Sequence, residues 1–203
     1  MDLRFSRIAA VFFIILAIVP LHAAVSRQQA DAFARKVANI QQQAKADAPR
    51  TAGRRTPVSQ DEVNSWFQYR AQPVLPVGVA SPKLTIIGQG RVMGEATVDL
   101  EAIAKRRGAA NSGGFNPWTY LGGTVPITVT GILHTDNGRG RFELESAEVS
   151  GVPVPKTVMQ QLLTYYSRSA NNPAGFGLDD PFPLPAGISK IEVGQGQAVV
   201  VQQ

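Results

Sequence analysis

The sequence predicts an α+β fold in which a strongly curved antiparallel sheet of about six strands wraps around helices. Three pairs of segments with strand periodicity flank short turns that contain Gly or Asn, which indicates three hairpins. Three further segments have apolar residues at helical spacing. A match between two parts of the chain indicates a pseudo-repeated unit of one helix and one hairpin. Antiparallel hairpins bury an apolar face against helices, which we expect on the concave side of the sheet.

The predicted hairpins are recognised by their turns. These are Gly88-Gln89-Gly90, Asp136-Asn137-Gly138 and Gly194-Gln195-Gly196, between strands at 83–87 and 91–100, 127–134 and 141–149, and 189–193 and 197–203. The Asn-Gly pair favours a primed turn, which matches the twist of antiparallel strands. In residues 91–100 apolar and polar side chains alternate, as they do in a strand with one buried face.

The predicted helices are separated from one another by loops and hairpins. Residues 26–46 carry an amphipathic pattern, and a basic linker without periodicity follows at 49–57. The second helix begins after Ser59, because Ser59 and Glu62 have the spacing of a capping box. The third helix covers residues 156–168 and has a broad apolar side.

Two parts of the chain match each other in the same order. The segments 75–79 and 184–188 both read Leu-Pro-x-Gly followed by Val or Ile, and each leads toward a Gly-Gln-Gly turn. An apolar helix precedes each segment, and a bulge at Pro82 absorbs the extra residues of the first copy. The alternative is chance, because Gly-rich turns recur in antiparallel proteins. The shared order favours a structural repeat.

The first residues have the pattern of a secretory signal peptide. Arg4 and Arg7 precede an uninterrupted apolar run at 8–19, and cleavage is expected after Ala23 or Ala24. The run is shorter than the ~20 residues that span a bilayer. The pattern predicts export to the periplasm or cell envelope, with an uncleaved N-terminal anchor as the alternative.

These patterns divide the chain into three parts. They are a signal peptide at 1–24, an N-terminal amphipathic helix with a basic linker at 25–57, and a single α+β domain at 58–203.

The composition excludes several kinds of chemistry. The chain has no Cys, and His134 is the one His beyond the predicted signal peptide. The chain therefore has almost no side chains for thiol chemistry, imidazole catalysis or metal binding. We therefore expect no metal and no cofactor. Nucleic acid is not an expected partner, because aromatic and basic residues do not interleave.

Charge is distributed unevenly along the chain. Residues 25–110 carry 13 Lys and Arg against 7 Asp and Glu, whereas residues 111–203 carry 5 against 7. Such asymmetry indicates a basic surface that faces anionic lipid headgroups or another polyanion. The alternative is a solvated surface that keeps the protein in solution.

Several segments resemble bacterial secreted proteins of the tubular lipid-binding (TULIP) type, which are related to half of a bactericidal/permeability-increasing protein. The segments are the helix at 59–69, Leu75-Pro76-x-Gly78-Val79, the hairpin that ends in Ala96-x-Val98-Asp99-Leu100, the run at 149–155 with its following helix, and Leu184-Pro185-x-Gly187-Ile188. The resemblance covers roughly residues 59–201. It implies a long helix cradled by a highly curved sheet, an apolar groove for a lipid tail, and no catalytic residues.

Apolar and aromatic residues are the candidates for a ligand groove between helices and sheet. They are Trp66, Phe67, Val98, Ile127, Val129, Leu162, Tyr166 and Phe182. Residues of this type usually pack into the core. The space between helices and sheet is therefore either filled by these side chains or open as a groove. The candidates for contact with lipid headgroups or a membrane surface are Arg54, Arg55, Lys105, Arg106 and Arg107, with solvated surface as the alternative.

The function predicted from the sequence is non-covalent binding of a lipid or another apolar molecule by an exported, non-enzymatic protein. One alternative is a structural or adaptor module of the envelope, in which residues 197–203 form an edge strand that pairs with a partner. Another alternative is a hydrolase that uses the carboxylates of Asp179 and Asp180.

Overall fold

The computed structural model describes residues 25–45, 53–99, 101–102, 123–168, 172–185 and 187–203. In these ranges the chain is α+β, and all strand pairs are antiparallel. The helices are α1 (Arg27–Lys45), α2 (Gln60–Tyr69) and α3 (Lys156–Ser167), with a 3₁₀ turn at Gln72–Val74. The strands are β1 (Arg54–Ser59), β2 (Val79–Gly88), β3 (Arg91–Asp99), β4 (Thr124–Asp136), β5 (Arg139–Val149), β6 (Val152–Pro153), β7 (Phe182–Pro183), β8 (Ile188–Val193) and β9 (Gln197–Gln202). The predicted signal peptide and most of the loop after residue 102 lie outside the described residues.

The strands form two sheets, and the prediction of one sheet was wrong on this point. The small sheet has the order β1-β9-β8, and the large sheet has the order β2-β3-β4-β5-β6 with β7 beside β5. The hairpin β8–β9 separates from the other two because β1 pairs along all of β9, from Arg54 opposite Gln202 to Ser59 opposite Gln197. Sheet curvature remains a prediction.

The strand β1 was missed by the sequence analysis, which treated residues 49–57 as linker. Residues 54–57 are instead part of β1, so the predicted boundary after residue 57 falls inside a strand. Pro57 has no N–H to donate, which a strand tolerates at a sheet edge. Its carbonyl oxygen accepts a hydrogen bond of 2.7 Å from Lys36 Nζ on α1.

The prediction that residues 197–203 form an edge strand was wrong. Strand β9 lies in the middle of the small sheet and pairs with β1 on one side and with β8 on the other. Its backbone donors and acceptors are therefore used inside the molecule, and it offers no edge to a partner strand.

Most local predictions are confirmed. Ser59 Oγ accepts from the Glu62 N–H at 3.1 Å, and the Glu62 carboxylate accepts from the Ser59 N–H at 2.9 Å, which completes the capping box. Asn137 and Gly138 adopt φ angles of 49° and 75°, as a primed turn requires. The register of β2 against β3 shifts between Ala80 and Lys83, which confirms the bulge expected at Pro82.

The two Gly-Gln-Gly turns meet and join the sheets. The N–H of Gly196 donates to the Ile86 carbonyl at 2.9 Å, and the N–H of Gly90 donates to the Val193 carbonyl at 3.3 Å. The hairpins that carry these turns belong to different sheets, and the internal repeat remains a prediction.

The outer edge of β8 is covered by the large sheet. Thr135 Oγ1 donates to the Ile191 carbonyl at 2.8 Å and accepts from the Ile191 N–H at 2.9 Å. The N–H of Gly138 donates to the Ser189 carbonyl at 2.9 Å. The small sheet is therefore fixed against the end of the β4–β5 hairpin.

Helices α1 and α2 lie antiparallel and pack closely through small side chains. Ala30 and Ser65 have no exposed surface, and Ser65 Oγ accepts from the Ser26 N–H at 3.1 Å. The rings of Phe33 and Trp66 meet edge to face, with their centroids 5.8 Å apart. At the other end of α1, the Gln202 side chain of β9 donates to the Ile40 carbonyl at 2.9 Å.

Candidate functional site

The large sheet carries apolar side chains on one face, because the antiparallel register places residues of the same pattern opposite each other. We call this set the apolar face. It consists of Val79, Leu84 and Ile86 of β2, Val92, Gly94, Ala96 and Val98 of β3, Val125, Ile127, Val129, Gly131 and Leu133 of β4, and Phe142, Leu144, Ala147 and Val149 of β5. Charged side chains, among them Arg91 and Glu145, project from the other face and pair across β4 at 2.6 Å.

Parts of both sides of the apolar face are buried. On the β2 side, α2 packs along the strand, and Ile86 is 4% exposed. On the β5 side, α3 contacts the strand, and Leu144, Ala147 and Val149 are all buried. The buried residues of the apolar face therefore lie mainly on β5 and at the Ile86 end of β2.

The middle of the apolar face is less buried than its β5 side. We call the strip formed by Gly94, Ala96, Val98, Ile127 and Val129 the trough, and each of its residues is half-buried. A Cβ placed on Gly94 meets no described atom within 4 Å. The trough is a strip of apolar surface with open space above its centre among the described residues.

A second glycine of the apolar face marks one end of this open space. A Cβ placed on Gly131 would overlap the carbonyl oxygen of Glu143 and would lie 2.5 Å from the Phe142 ring. The Phe142 ring therefore covers the sheet at Gly131. From Val92 to Val98 the strand β3 extends about 20 Å at the usual rise per residue.

Three of the predicted groove residues come together in the trough. Val98 of β3 and Ile127 and Val129 of β4 lie on neighbouring strands with their side chains on the same face. Gly94 and Ala96 were not predicted as groove residues. These two small residues form the floor of the trough. A glycine inside a strand with clean alternation was the available indication, because such a glycine often marks a site of close approach.

The predicted groove residues of α2 contact α1 and line a cavity beside the start of β2. Trp66 is half-buried between Phe33 of α1 and Phe67, with ring centroids 5.8 Å apart in both pairs. Phe67 lines a separate cavity of about 370 Å³ at the end of α2, together with Val25 and Pro82.

The predicted groove residues of the C-terminal half also occupy different places. Leu162 is half-buried on α3, the helix that contacts β5. Phe182 lies in β7 and is 40% exposed, and its ring would be 2.6 Å from a Cβ on Gly140. Tyr166 belongs to α3, and its side chain lies outside the described part of the structure.

Two of the predicted headgroup residues lie in the described structure, next to each other on β1. Arg54 is exposed on β1, and Arg55 makes an ion pair with Glu192 of β8, with N–O distances of 3.4 and 2.5 Å. The hydrogen bond with Arg55 lowers the pKa of Glu192, and the same bond raises the pKa of Arg55. Lys105, Arg106 and Arg107 lie outside the described residues.

The two carboxylates of the hydrolase alternative both have structural partners. Asp179 pairs with Lys156 at the start of α3, at 3.0 Å. Asp180 accepts from the Gly177 N–H at 2.6 Å and so closes a turn. Within the described ranges, no three His, Asp or Glu side chains are grouped so that they could hold a metal ion.

None of the helices in the described ranges is both long enough and apolar enough to cross a membrane. Comparison of the chain with protein-family models, curated proteins and solved structures found no match.

Proposed function

We propose that this protein binds a lipid or another apolar molecule non-covalently in the trough. The observation that carries the proposal is the open space over Gly94, next to the buried β5 side of the same face. A sheet face of this size usually fills its centre with packed side chains. An apolar ligand would supply the missing contacts.

The chemistry of the trough favours an uncharged, elongated group. The members of the apolar face are glycines or residues with apolar side chains. A charged group would therefore lose its hydration there without gaining a hydrogen-bond or ion-pair partner. Each methylene that enters contributes about 0.8 kcal/mol. The trough extends about 13 Å along β3 from Gly94 to Val98, which is close to half of the ~30 Å hydrocarbon core of a bilayer. Half of that core is the length of one acyl chain.

Export to the periplasm or cell envelope and membership of the tubular lipid-binding type are part of the same proposal. The first rests on the basic and apolar pattern of residues 1–24, and the second rests on the resemblance of residues 59–201. We propose a carrier without catalysis, because Asp179 and Asp180 are engaged in structural contacts. Cell fractionation with N-terminal sequencing tests the export, and recovery of the full-length chain in the cytoplasm would contradict it.

The binding proposal is tested on gently purified protein. We expect native mass spectrometry to detect a co-purified lipid, and unlabelled long-chain fatty acid to displace a fluorescent fatty acid from the protein. A protein that carries no lipid and binds no fatty acid would overturn the proposal.

A further inference from the structure

We infer that the end of the molecule formed by the start of α1 and the end of α2 docks on a lipid bilayer. The surface consists of Val25, Tyr69, Val74 and Val77, and we call it the helix-end patch. This inference concerns the orientation of the protein and does not depend on a ligand in the trough.

The antiparallel packing of the two helices brings these residues to one end. The N–H of Ser26 is bonded to Ser65 Oγ at 3.1 Å, and Arg70 pairs with Asp31. The first residues of α1 therefore lie beside the last turns of α2. The chain then continues from α2 into the 3₁₀ turn, where Gln72 lines the same cavity as Val25, and Val77 follows three residues after the turn.

The helix-end patch exposes apolar surface on an ordered backbone. Val74 is 66% exposed, Val77 46%, Tyr69 41% and Val25 38%. The segment is held in place by Ala71, which has no exposed surface and whose carbonyl oxygen accepts from the N–H groups of Val74 and Leu75 at 2.9 and 3.0 Å. Exposed apolar residues that are fixed and close together are typical of a docking surface.

The aromatic member of the patch has the surroundings of an interfacial residue. The Arg27 guanidinium lies 5.7 Å from the centre of the Tyr69 ring. Tyr combines an apolar ring with a polar hydroxyl and is enriched where a bilayer meets water, and Arg reaches headgroups through its long apolar stem. A Tyr–Arg pair beside exposed Val side chains fits the boundary between acyl chains and headgroups.

The position of the apolar run at 8–19 in the chain indicates that the helix-end patch docks on a bilayer. The apolar run at 8–19, preceded by Arg4 and Arg7, ends six positions before Val25. Six residue steps span at most ~22 Å. While a bilayer holds this run, as it does before cleavage and in the anchored alternative, the bilayer lies within that distance of Val25 in the helix-end patch.

A second group of exposed apolar residues has no such connection to the run. Val152 is 64% exposed, Phe176 56% and Val158 38%, and these residues lie on β6, on α3 and in the loop after α3. This group serves as the matched control, because its exposure is similar and its position in the chain is different.

The chain has no Cys, so one introduced Cys gives one labelling position. We propose two full-length variants, Val77→Cys and Val152→Cys, each labelled with an environment-sensitive fluorophore. They are added to vesicles of phosphatidylethanolamine and phosphatidylglycerol, some of which contain brominated acyl chains that quench fluorescence on contact. The fraction of protein that floats with the vesicles is measured in the same samples.

We expect a blue shift for the label at position 77 and quenching at least about threefold stronger than at position 152, because only the first label enters the acyl region. Adding Tyr69→Ser and Val74→Ser to Val77→Cys should reduce this quenching while circular dichroism stays the same. Vesicle-bound protein with equal quenching at the two positions, or with stronger quenching at position 152, would overturn the inference. Protein that does not float with the vesicles would also overturn it.

Discussion

The side-chain amide of Asn64 makes both of the hydrogen bonds that a neighbouring strand would make with Leu84. Asn64 Nδ2 donates to the Leu84 carbonyl at 2.8 Å, and Asn64 Oδ1 accepts from the Leu84 N–H at 2.7 Å. Two residues further along β2, the N–H of Ile86 is bonded to Gln60 Oε1 at 2.7 Å, and its carbonyl is bonded to Gly196. Helix α2 and a turn thus take the place of a strand and close the β2 edge of the large sheet.

Replacement of Asn64 should expose this edge. We expect Asn64→Leu to lower the free energy of unfolding by roughly 1–3 kcal/mol, because the N–H and carbonyl of Leu84 lose their partners while remaining partly buried. The exposed residue Gln68 on the same helix gives the control, Gln68→Leu. Urea unfolding measures both variants, and equal stabilities would show that the amide does not protect the edge.

The junction between the sheets should depend on one hydroxyl group. Thr135→Val keeps the shape of the side chain but removes both hydrogen bonds to Ile191. We expect a loss of about 1–3 kcal/mol in the free energy of unfolding, since a backbone donor and an acceptor are left unpaired. Thr128→Val in the same strand is the control, and thermal unfolding that ranks the two variants equally would contradict this account of the junction.

The two glycines of the apolar face should respond differently to the same change. We expect Gly131→Ala to destabilise the protein by roughly 1–3 kcal/mol, because its Cβ would overlap backbone and the Phe142 ring. Gly94→Ala should leave the stability unchanged or slightly raised, because the added methyl group enters open space. Denaturant midpoints compare the two variants, and an equally large loss for Gly94→Ala would mean that the space over the trough is filled.

The ion pair of Arg91 and Glu145 should give a small acid dependence. The hydrogen bond with Arg91 lowers the pKa of Glu145 from its ordinary value of 4.5. A carboxylate whose folded-state pKa is lowered stabilises the folded state above its unfolded-state pKa, and this contribution is lost as the pH falls through the folded-state pKa. A double-mutant cycle with Arg91→Gln and Glu145→Gln should therefore give a coupling that declines below pH 4.5. A coupling that is constant from pH 7 to about pH 3 would contradict the assignment.

Local features of the fold could be predicted because they depend on residues close together in the chain. The capping box of Ser59 and Glu62, the Asn137-Gly138 turn and the bulge at Pro82 each need only a few neighbouring residues. The same locality allowed the alternation of β3 to place Val98 on an apolar face.

The features that were missed depend on distant parts of the chain. The strand β1 contains Pro57 and two Arg residues, so nothing in its own sequence indicates a strand, and it forms because β9 offers an edge about 140 residues away. That pairing also converts β9 from the expected edge strand into a central one. The open space over Gly94 depends on how far α2 and α3 reach across the sheet, which no local pattern encodes.

The most direct test of the proposed function fills the trough with a side chain. Gly94→Phe places a ring in the open space, and Thr128→Phe places the same ring on the opposite face of the sheet. We predict that Gly94→Phe weakens the binding of a fluorescent long-chain fatty acid at least about tenfold, because the ring occupies the space that the acyl chain would fill. Thr128→Phe should bind as the unmodified protein does, and circular dichroism should show that both variants are folded. Unchanged affinity in a folded Gly94→Phe variant would contradict the claim that the trough is the ligand site.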